Sequence, residues 1–141
     1  MHSILVKDFM DFNPHALSEQ ASVRDAVMFL CNEKIAGAPV VNSEGVVLGY
    51  VSEQDCLTQI LNDSFFCGES PSVTSVMTTT VRSVTPETSI LDLAQTMAVT
   101  APRNYPVIEN NLPVGMINRS SILAALIKLN EACYLTQPSR D

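Results

Sequence analysis

The sequence predicts a mixed α/β protein of the α+β type, made of two copies of one β-α-β-β-α unit. The first observation is a repeat, because Ser22 and Pro39 are matched at a spacing of 67 by Ser89 and Pro106. The second observation is that each copy alternates short β-like apolar runs with stretches of helical apolar period. Each copy alone is near the size at which a hydrophobic core becomes marginal, so we expect the two to pack and unfold together.

Helices are predicted where a cap precedes an apolar stripe. Ser22 with Asp25 three residues later is the capping-box pattern of a helix start, and Ser89 with Asp92 repeats it. Apolar residues at helical spacing then define four buried faces. These faces are Val23, Ala26, Val27, Leu30 and Cys31 in the first helix; Leu57, Ile60 and Leu61 in the second, which starts at Ser52; Ile90, Leu93, Ala94, Met97 and Ala98 in the third; and Ile122, Ala125, Leu126, Leu129 and Cys133 in the fourth.

Strands are predicted where short apolar runs are bounded by turn residues. Each copy opens with a helical turn and an extended segment and continues, after a helix, into a hairpin. The predicted segments are 6–10, 15–17, 38–41 and 46–51 in the first copy, and 73–77, 81–84, 105–108 and 114–117 in the second. Between Val40 and Gly49 the spacing of the repeat falls from 67 to 66, so the second hairpin turn is one residue shorter.

Bulk composition limits the classes of function. With 46% apolar and 16% charged residues, the chain is predicted to be a folded, soluble protein. A formal net charge of -7 argues against nucleic-acid binding. No apolar run reaches the roughly 18 residues that span a bilayer, and a signal-peptide pattern is missing, so we expect a cytoplasmic protein without a membrane partner. The four cysteines show no CxxC spacing and are expected to be reduced, mostly buried thiols.

Four motifs occur twice in the same order: an opening V-x-x-h-M turn (h is apolar), an S-x-x-D helix start, a proline-valine strand and a glycine-ended hairpin that runs into a helix. On these motifs the chain resembles a tandem pair of CBS domains, named for cystathionine β-synthase. The resemblance implies pseudo-twofold packing, with a first repeat and linker at 1–68, a second repeat at 69–133 and a polar tail at 134–141.

The resemblance also implies a function. Two symmetry-related clefts would bind AMP, ADP, ATP or S-adenosylmethionine as regulatory ligands, and no cofactor would be required. Such a stand-alone pair is expected to form a disc-like homodimer and to regulate a partner protein that the sequence does not identify.

The first cleft offers what an adenosine ligand needs, which is an apolar slot, an acceptor for the ribose hydroxyls and donors for a phosphate. Asp55 can accept from the ribose, and Ser52 with the helix start after it can meet a phosphate. The same two residues also form a capping-box pattern that a helix uses without any ligand. The resemblance assigns the ribose-binding Asp and its hydroxyl partner to Asp55 and Ser52, and the two roles are compatible. The expected walls of the slot are Ala38, Pro39, Val40 and Val51.

The second cleft departs from this pattern. Asn118 stands where the first repeat has the hydroxyl, and Ser121 stands where it has the carboxylate. Losing a charge-assisted hydrogen bond weakens binding roughly tenfold to a hundredfold. We therefore expect at most one strong site per chain. Tyr105, next to Pro106, would either stack on a base or fill the slot.

Candidate phosphate contacts are found near both clefts, and a solvated surface role is the alternative for each. They are His15 and Arg82, at equivalent positions of the two repeats, together with Arg103, which precedes Asn104, and Arg119. Glu53, at the start of the second helix, would repel a polyphosphate. This favours AMP, or an adenosyl ligand with an uncharged tail, over ATP.

Three classes of function are compared. The residues and the resemblance favour a sensor, in which a bound adenosyl ligand shifts the arrangement of repeats or subunits. The alternative is a structural or dimerisation module with degenerate clefts that binds no nucleotide. Asn118 and Ser121 favour this alternative. An enzyme is not expected, because the P-loop, GxSxG and HExxH motifs are missing and the histidines have no metal-ligand spacing. Phe65 and Phe66, between the repeats, either dock on the other half or contact a second subunit.

Overall fold

The computed structural model describes residues 4–62, 69–99 and 104–136, with side chains described up to Glu131. It confirms the α+β class and the two repeats. In chain order the elements are a 3-10 turn at Val6–Asp8, β1 at Leu17–Ser18, α1 at Val23–Glu33, β2 at Gly37–Val41, β3 at Val47–Ser52, α2 at Glu53–Asn62, a second 3-10 turn at Val73–Ser75, α3 at Ile90–Val99, β4 at Asn104–Glu109, β5 at Leu112–Asn118 and α4 at Arg119–Thr136.

Each repeat builds a small sheet around its hairpin. In the first sheet β1 runs parallel to β2, and β2 pairs antiparallel with β3, so that Gly37 lies opposite Ser52. In the second sheet β4 pairs antiparallel with β5, and Asn104 lies opposite Asn118. Both hairpins therefore end at an edge where a strand passes directly into a helix.

The second repeat is shorter than the first at its opening strand and at its hairpin turn. The strand predicted at 81–84 is reduced to one parallel bridge between Val84 and Val107. The hairpin turn has Asn110 at φ 54° and Asn111 at φ 65°. Two consecutive residues with positive φ form a tight turn that follows the twist of the strands, and Asn tolerates this conformation better than most residues.

The opening turn of each repeat packs in the core of the other repeat. Val6 and Met10 belong to the second core, together with residues of α3, β4, β5 and α4. Val73 belongs to the first core, and the partly buried Met77 packs against it. The repeats of the sequence are therefore not the units of packing, and each core includes a segment of the other half.

Two backbone bridges in matching positions fasten these exchanged segments. Asp11 and Met116 exchange N–H···O bonds of 2.8 and 2.9 Å. Tyr50 and Thr78 exchange two such bonds of 2.9 Å. The last strand of each hairpin is thereby bonded to the segment that follows the other repeat's opening turn.

The glycine in each last strand makes room for the exchanged segment. A Cβ built on Gly49 would lie 2.7 Å from the carbonyl oxygen of Thr78, and one built on Gly115 would lie 2.5 Å from that of Asp11. Glycine in a strand interior often marks such a close approach of another backbone. A side chain at either position would push the two halves apart.

The predicted helix faces agree with the structure at most described positions, but not in α2. The prediction that Leu57 and Leu61 point inward is wrong, because they are 51% and 57% exposed and Cys56 is buried instead. The cap that begins α2 fixes the rotation of its first turn, and this rotation brings Cys56 rather than Leu57 toward the sheet. Cys31 in α1 and Ala98 in α3 also lie at the surface.

Some sequence predictions fall outside the described residues. They concern Phe65, Phe66, Cys67, Arg103, the side chain of Cys133 and the end of the tail, although α4 continues to Thr136. Within the described ranges, none of the helices combines the length and the apolar character that crossing a bilayer requires.

Candidate functional site

The candidate site lies at the edge of the first sheet, where β3 passes into α2. The Ser52 hydroxyl accepts from the Asp55 N–H at 3.1 Å, and Asp55 Oδ2 accepts from the Ser52 N–H at 3.0 Å. This is a complete capping box. The Glu53 N–H donates to the Ala36 carbonyl oxygen at 2.8 Å, which ties the helix start to the loop before β2. Ser52 and Asp55 are only partly buried, so the pair is accessible from this edge.

A second capping box begins α1 with nearly the same geometry. Ser22 and Asp25 exchange two hydrogen bonds of 3.0 Å each. These bonds hold the pKa of the Asp25 carboxyl below its ordinary value. The Val23 N–H donates to the Pro71 carbonyl oxygen at 2.8 Å, so this box lies against the segment between the repeats. The Ser22–Asp25 pair therefore serves as an internal comparison for the Ser52–Asp55 pair, because it caps a helix at the other end of the sheet.

His15 reaches the edge of the candidate site just before β1, but its ring is already engaged. Nε2 lies 2.8 Å from Asp11 Oδ2, and Nδ1 lies 3.1 Å from Glu33 Oε1. Burial opposes protonation of the ring, but the hydrogen bonds to the two carboxylates outweigh it and raise the pKa of His15 above its ordinary value. His15 is thus held by acidic groups of its own chain, and a phosphate would compete with them.

The residues expected to wall the slot divide between the two faces of the first sheet. Ala38, Val40 and Val51 are 0% exposed, and their side chains belong to the first core. Pro39 is also fully buried and lies opposite Tyr50 across the hairpin. Because side chains alternate along a strand, Pro39 and Tyr50 face away from the first core.

Tyr50 is a residue of this edge that sequence reasoning missed as a site residue. Its ring occupies the space where Gly37 would carry a side chain, since a Cβ built on Gly37 would lie 2.6 Å from Tyr50 Cζ. Burial raises the pKa of Tyr50 to about 12, and the charge of Asp55 adds to this shift. The signal in the sequence is weak, because it consists only of a glycine placed diagonally across a hairpin from a tyrosine.

The second cleft has the same local geometry with different chemistry. Asn118 Oδ1 accepts from the Ser121 N–H at 2.9 Å, so an amide caps α4 in place of a hydroxyl. Arg119, the first residue of α4, is exposed. Tyr105 is 4% exposed and belongs to the second core, so its ring fills space there and is not presented for stacking. Pro106 is fully buried.

A cavity of about 430 Å³ adjoins the candidate site. The end of α1, the loop before β2 and the start of α2 line it, and Asn104 of the second repeat completes the wall. Lys34 and Glu53 place opposite charges on this wall. Among the described residues, no cluster of His, Cys, Asp and Glu could hold a metal ion.

The fold and the site define a tandem-repeat α+β module with a capped helix start at the edge of each sheet. The chain belongs to the CBS domain family, whose model matches residues 6–62 and 73–128. The membership that the four duplicated motifs indicate is confirmed.

Solved structures share this fold over most of the chain. The AcuB protein of Vibrio cholerae, assigned provisionally to acetoin utilization, superposes with a TM-score of 0.81 at 28% identity, covering 97% of this chain and 100% of that chain. CBSX2 in complex with AMP superposes with a TM-score of 0.75 at 25% identity, covering 89% and 98%. CBSX2 is a CBS-pair protein of Arabidopsis thaliana.

Curated relatives match in sequence but are longer. The uncharacterized protein MJ1225 of Methanocaldococcus jannaschii is 26% identical over 121 residues, which are 86% of this chain and 42% of that protein. An A-adding tRNA nucleotidyltransferase of Aquifex aeolicus is 27% identical over 121 residues, which are 14% of that enzyme. The chain therefore spans less than half the length of these two relatives.

Proposed function

We propose that the chain is a regulatory module that binds an adenosyl ligand in the first cleft and modulates a partner protein without catalysing a reaction. The observation that carries this proposal is the Ser52–Asp55 pair at the accessible edge of the first sheet. The AMP complex of CBSX2, which covers 89% of this chain, supports an adenosyl ligand. The candidates are AMP, ADP, ATP and S-adenosylmethionine.

Asp55 is the proposed acceptor for the ribose hydroxyls. Its Oδ2 already accepts from the Ser52 N–H, which orients the carboxylate before any ligand arrives. The other carboxylate oxygen is then available to the ribose. An oriented side chain loses little rotamer freedom on binding, which favours affinity. Capping and ligand binding thus use different oxygen atoms of one residue, and the two roles can coexist.

The edge has few donors for a long phosphate tail. Of the first N–H groups of α2, that of Glu53 donates to Ala36 and that of Asp55 donates to Ser52. The Gln54 N–H is left for a ligand. The exposed carboxylate of Glu53 would also repel each added phosphate. These contacts favour AMP, or an adenosyl ligand with an uncharged tail, over ATP.

The proposed module acts as a homodimer through its outer helix faces. Leu57 and Leu61 on α2 and Leu123 and Ile127 on α4 are between 51% and 61% exposed. Clustered large apolar side chains at a surface mark interaction sites. A ligand in the cleft would shift the arrangement of repeats or subunits only as far as it binds one arrangement more tightly.

A structural module that binds no nucleotide is the second candidate. The capping box of α2 is complete without a ligand, and Tyr105 fills the space in the second repeat that matches Ala38 in the first. Under this function the Ser52–Asp55 pair would serve only the helix.

Thermal unfolding with each of the four candidate ligands separates the two functions. A ligand at about 100 times its dissociation constant adds roughly 2.7 kcal/mol to the free energy of unfolding. The proposed function predicts a rise of several degrees in the thermal midpoint with at least one ligand, and the loss of this rise in Asp55→Ala. No rise with any of the four would favour the structural module.

A further inference from the structure

At one pair of matching positions in the hairpin, the two repeats carry their polar residue on different strands. In the first repeat β2 starts with Gly37, and β3 carries Tyr50. At the matching positions the second repeat has Asn104 and Met116. Each repeat therefore places one polar side chain at its sheet edge. In the first repeat this side chain comes from the last strand of the hairpin, and in the second repeat it comes from the first strand of the hairpin.

The structure holds Tyr50 firmly in this place. Its backbone exchanges two hydrogen bonds of 2.9 Å with Thr78. Its ring lies across Gly37, because a Cβ on that glycine would contact the Tyr50 hydroxyl and lie 2.7 Å from Cε1. The phenol therefore replaces the side chain that Gly37 lacks, at the edge where Gly37 lies opposite Ser52.

The Tyr50 hydroxyl is a neutral donor in the field of the Asp55 carboxylate. Burial raises the pKa of Tyr50 to about 12, with a further contribution from the charge of Asp55, so the hydroxyl keeps its proton at neutral pH. No buried side-chain nitrogen or oxygen of the described residues lacks a hydrogen-bond partner. No hydrogen bond joins the hydroxyl to another described residue, and it is not one of their fully buried atoms, so it is open to a hydrogen bond from outside these residues.

A phosphate has only acceptor oxygens, and the edge has few donors to offer it. Residues 35–37, which end the loop before β2 and begin that strand, carry no donating side chain. The geometry points to Tyr50 as a specificity-determining residue of the first cleft, whose hydroxyl donates a hydrogen bond to the 5′ phosphate of bound AMP. This inference rests on the proposed function, because it needs a nucleotide whose ribose is held by Asp55.

Calorimetric titrations with AMP and with adenosine test this role in the wild type, Tyr50→Phe and Asp55→Ala. Phenylalanine keeps the ring across Gly37 and removes only the hydroxyl. Since a hydrogen bond to a charged acceptor changes affinity about tenfold or more, Tyr50→Phe should weaken AMP binding roughly tenfold and leave adenosine binding unchanged. Met116→Leu, at the matching position of the second repeat, is the control and should leave both affinities unchanged.

The outcomes separate the inference from the proposed function. Equal AMP affinities of the wild type and Tyr50→Phe, or an equal loss for AMP and adenosine, would overturn the role of the hydroxyl. The proposed function would still stand if Asp55→Ala weakened both affinities by roughly tenfold to a hundredfold. A wild type that binds neither AMP nor adenosine would overturn the inference, whereas the proposed function falls only if ADP, ATP and S-adenosylmethionine also fail to bind.

A ligand-free measurement tests the geometry itself. Gly37→Ala should lower the thermal midpoint while Tyr50 is present, because the new methyl group meets the ring. The same change should cost less in a Tyr50→Met background, which copies the second repeat. Equal costs in the two backgrounds would show that the ring does not occupy this space and would overturn the inference.

Discussion

Ser52 and Asp55 hydrogen-bond each other in both directions, at 3.0 and 3.1 Å, at the junction of β3 and α2. Ser22 and Asp25 make nearly the same pair of bonds at the start of α1. Local geometry therefore does not distinguish a helix cap from a ligand site. The difference lies in the surroundings, since only the Ser52–Asp55 pair adjoins Tyr50, the loop before β2 and the cavity shared with Asn104.

One prediction concerns the pH dependence of stability. The folded protein raises the pKa of His15 above its ordinary 6.5, so the proton is bound more tightly in the folded state. The stabilisation is fully present below about pH 6.5 and is lost as pH rises through the folded-state pKa. His15→Asn, which keeps a residue tolerant of the φ of 50°, should therefore lower the free energy of unfolding more near pH 5.5 than near pH 8.5.

Urea unfolding of the wild type and His15→Asn at the two pH values measures this difference. The pKa of Asp11 is lowered by its hydrogen bond from His15, so Asp11 stays ionised over this range. An equal loss of stability at both pH values would contradict the ionic role of His15.

The outer helix faces give a prediction about association. Leu61→Glu places a charge on the exposed face of α2 and should convert the proposed homodimer to a monomer, because an unpaired charge in an apolar interface is costly. Phe12→Glu is the matched control, since Phe12 is 69% exposed but lies outside the helices. Light scattering after gel filtration gives the mass of each variant. A wild-type monomer, or a dimer that survives in Leu61→Glu, would contradict the proposed interface.

The close approach at Gly115 gives a prediction about stability. Gly115→Ala would bring a Cβ to 2.5 Å from the Asp11 carbonyl oxygen and should cost about 1–3 kcal/mol of unfolding free energy, as overpacking does. Gly45→Asn is the comparison for backbone strain without overpacking, because Gly45 has φ 83°, which Asn tolerates better than most residues, and the nearest atom to a Cβ there is 3.8 Å away. Denaturant unfolding compares the two. A Gly115→Ala protein as stable as the wild type would mean that the exchanged segment does not bond to β5 there.

The number of binding sites is a further prediction. The first repeat has Asp55 at its helix start, whereas the second has Ser121 and a core-filling Tyr105. Calorimetric titration should therefore give one strong adenosyl site per chain. Two sites of equal affinity per chain would contradict the asymmetry between the repeats.

Much of the fold could be predicted from the sequence because the chain contains the same structural unit twice. The spacing of 67 and 66 identifies both hairpins, and the cap at Ser22 is found where the pattern places it. The face of α2 was predicted wrongly because apolar residues lie on both sides of that helix, and only the capped first turn decides that Cys56 is buried.

Other features depend on contacts that a linear pattern does not contain. The apolar residues of the opening turns predict burial, but they do not say that Val6 enters the second core and Val73 the first. Tyr50 gains its place from Gly37, thirteen residues earlier, and from the backbone of Thr78 in the other half. Both features appear only when the two repeats are packed together.

The most direct test of the adenosyl site compares Asp55→Ala with Asp25→Ala in calorimetric titrations with AMP. Both variants remove the acidic residue of a capping box, so both should lower the thermal midpoint. Only Asp55→Ala should weaken AMP binding, by roughly tenfold to a hundredfold, while Asp25→Ala should bind AMP as the wild type does. Equal AMP affinities in the two variants, or no AMP binding to the wild type, would contradict Asp55 as the ribose acceptor of an AMP site.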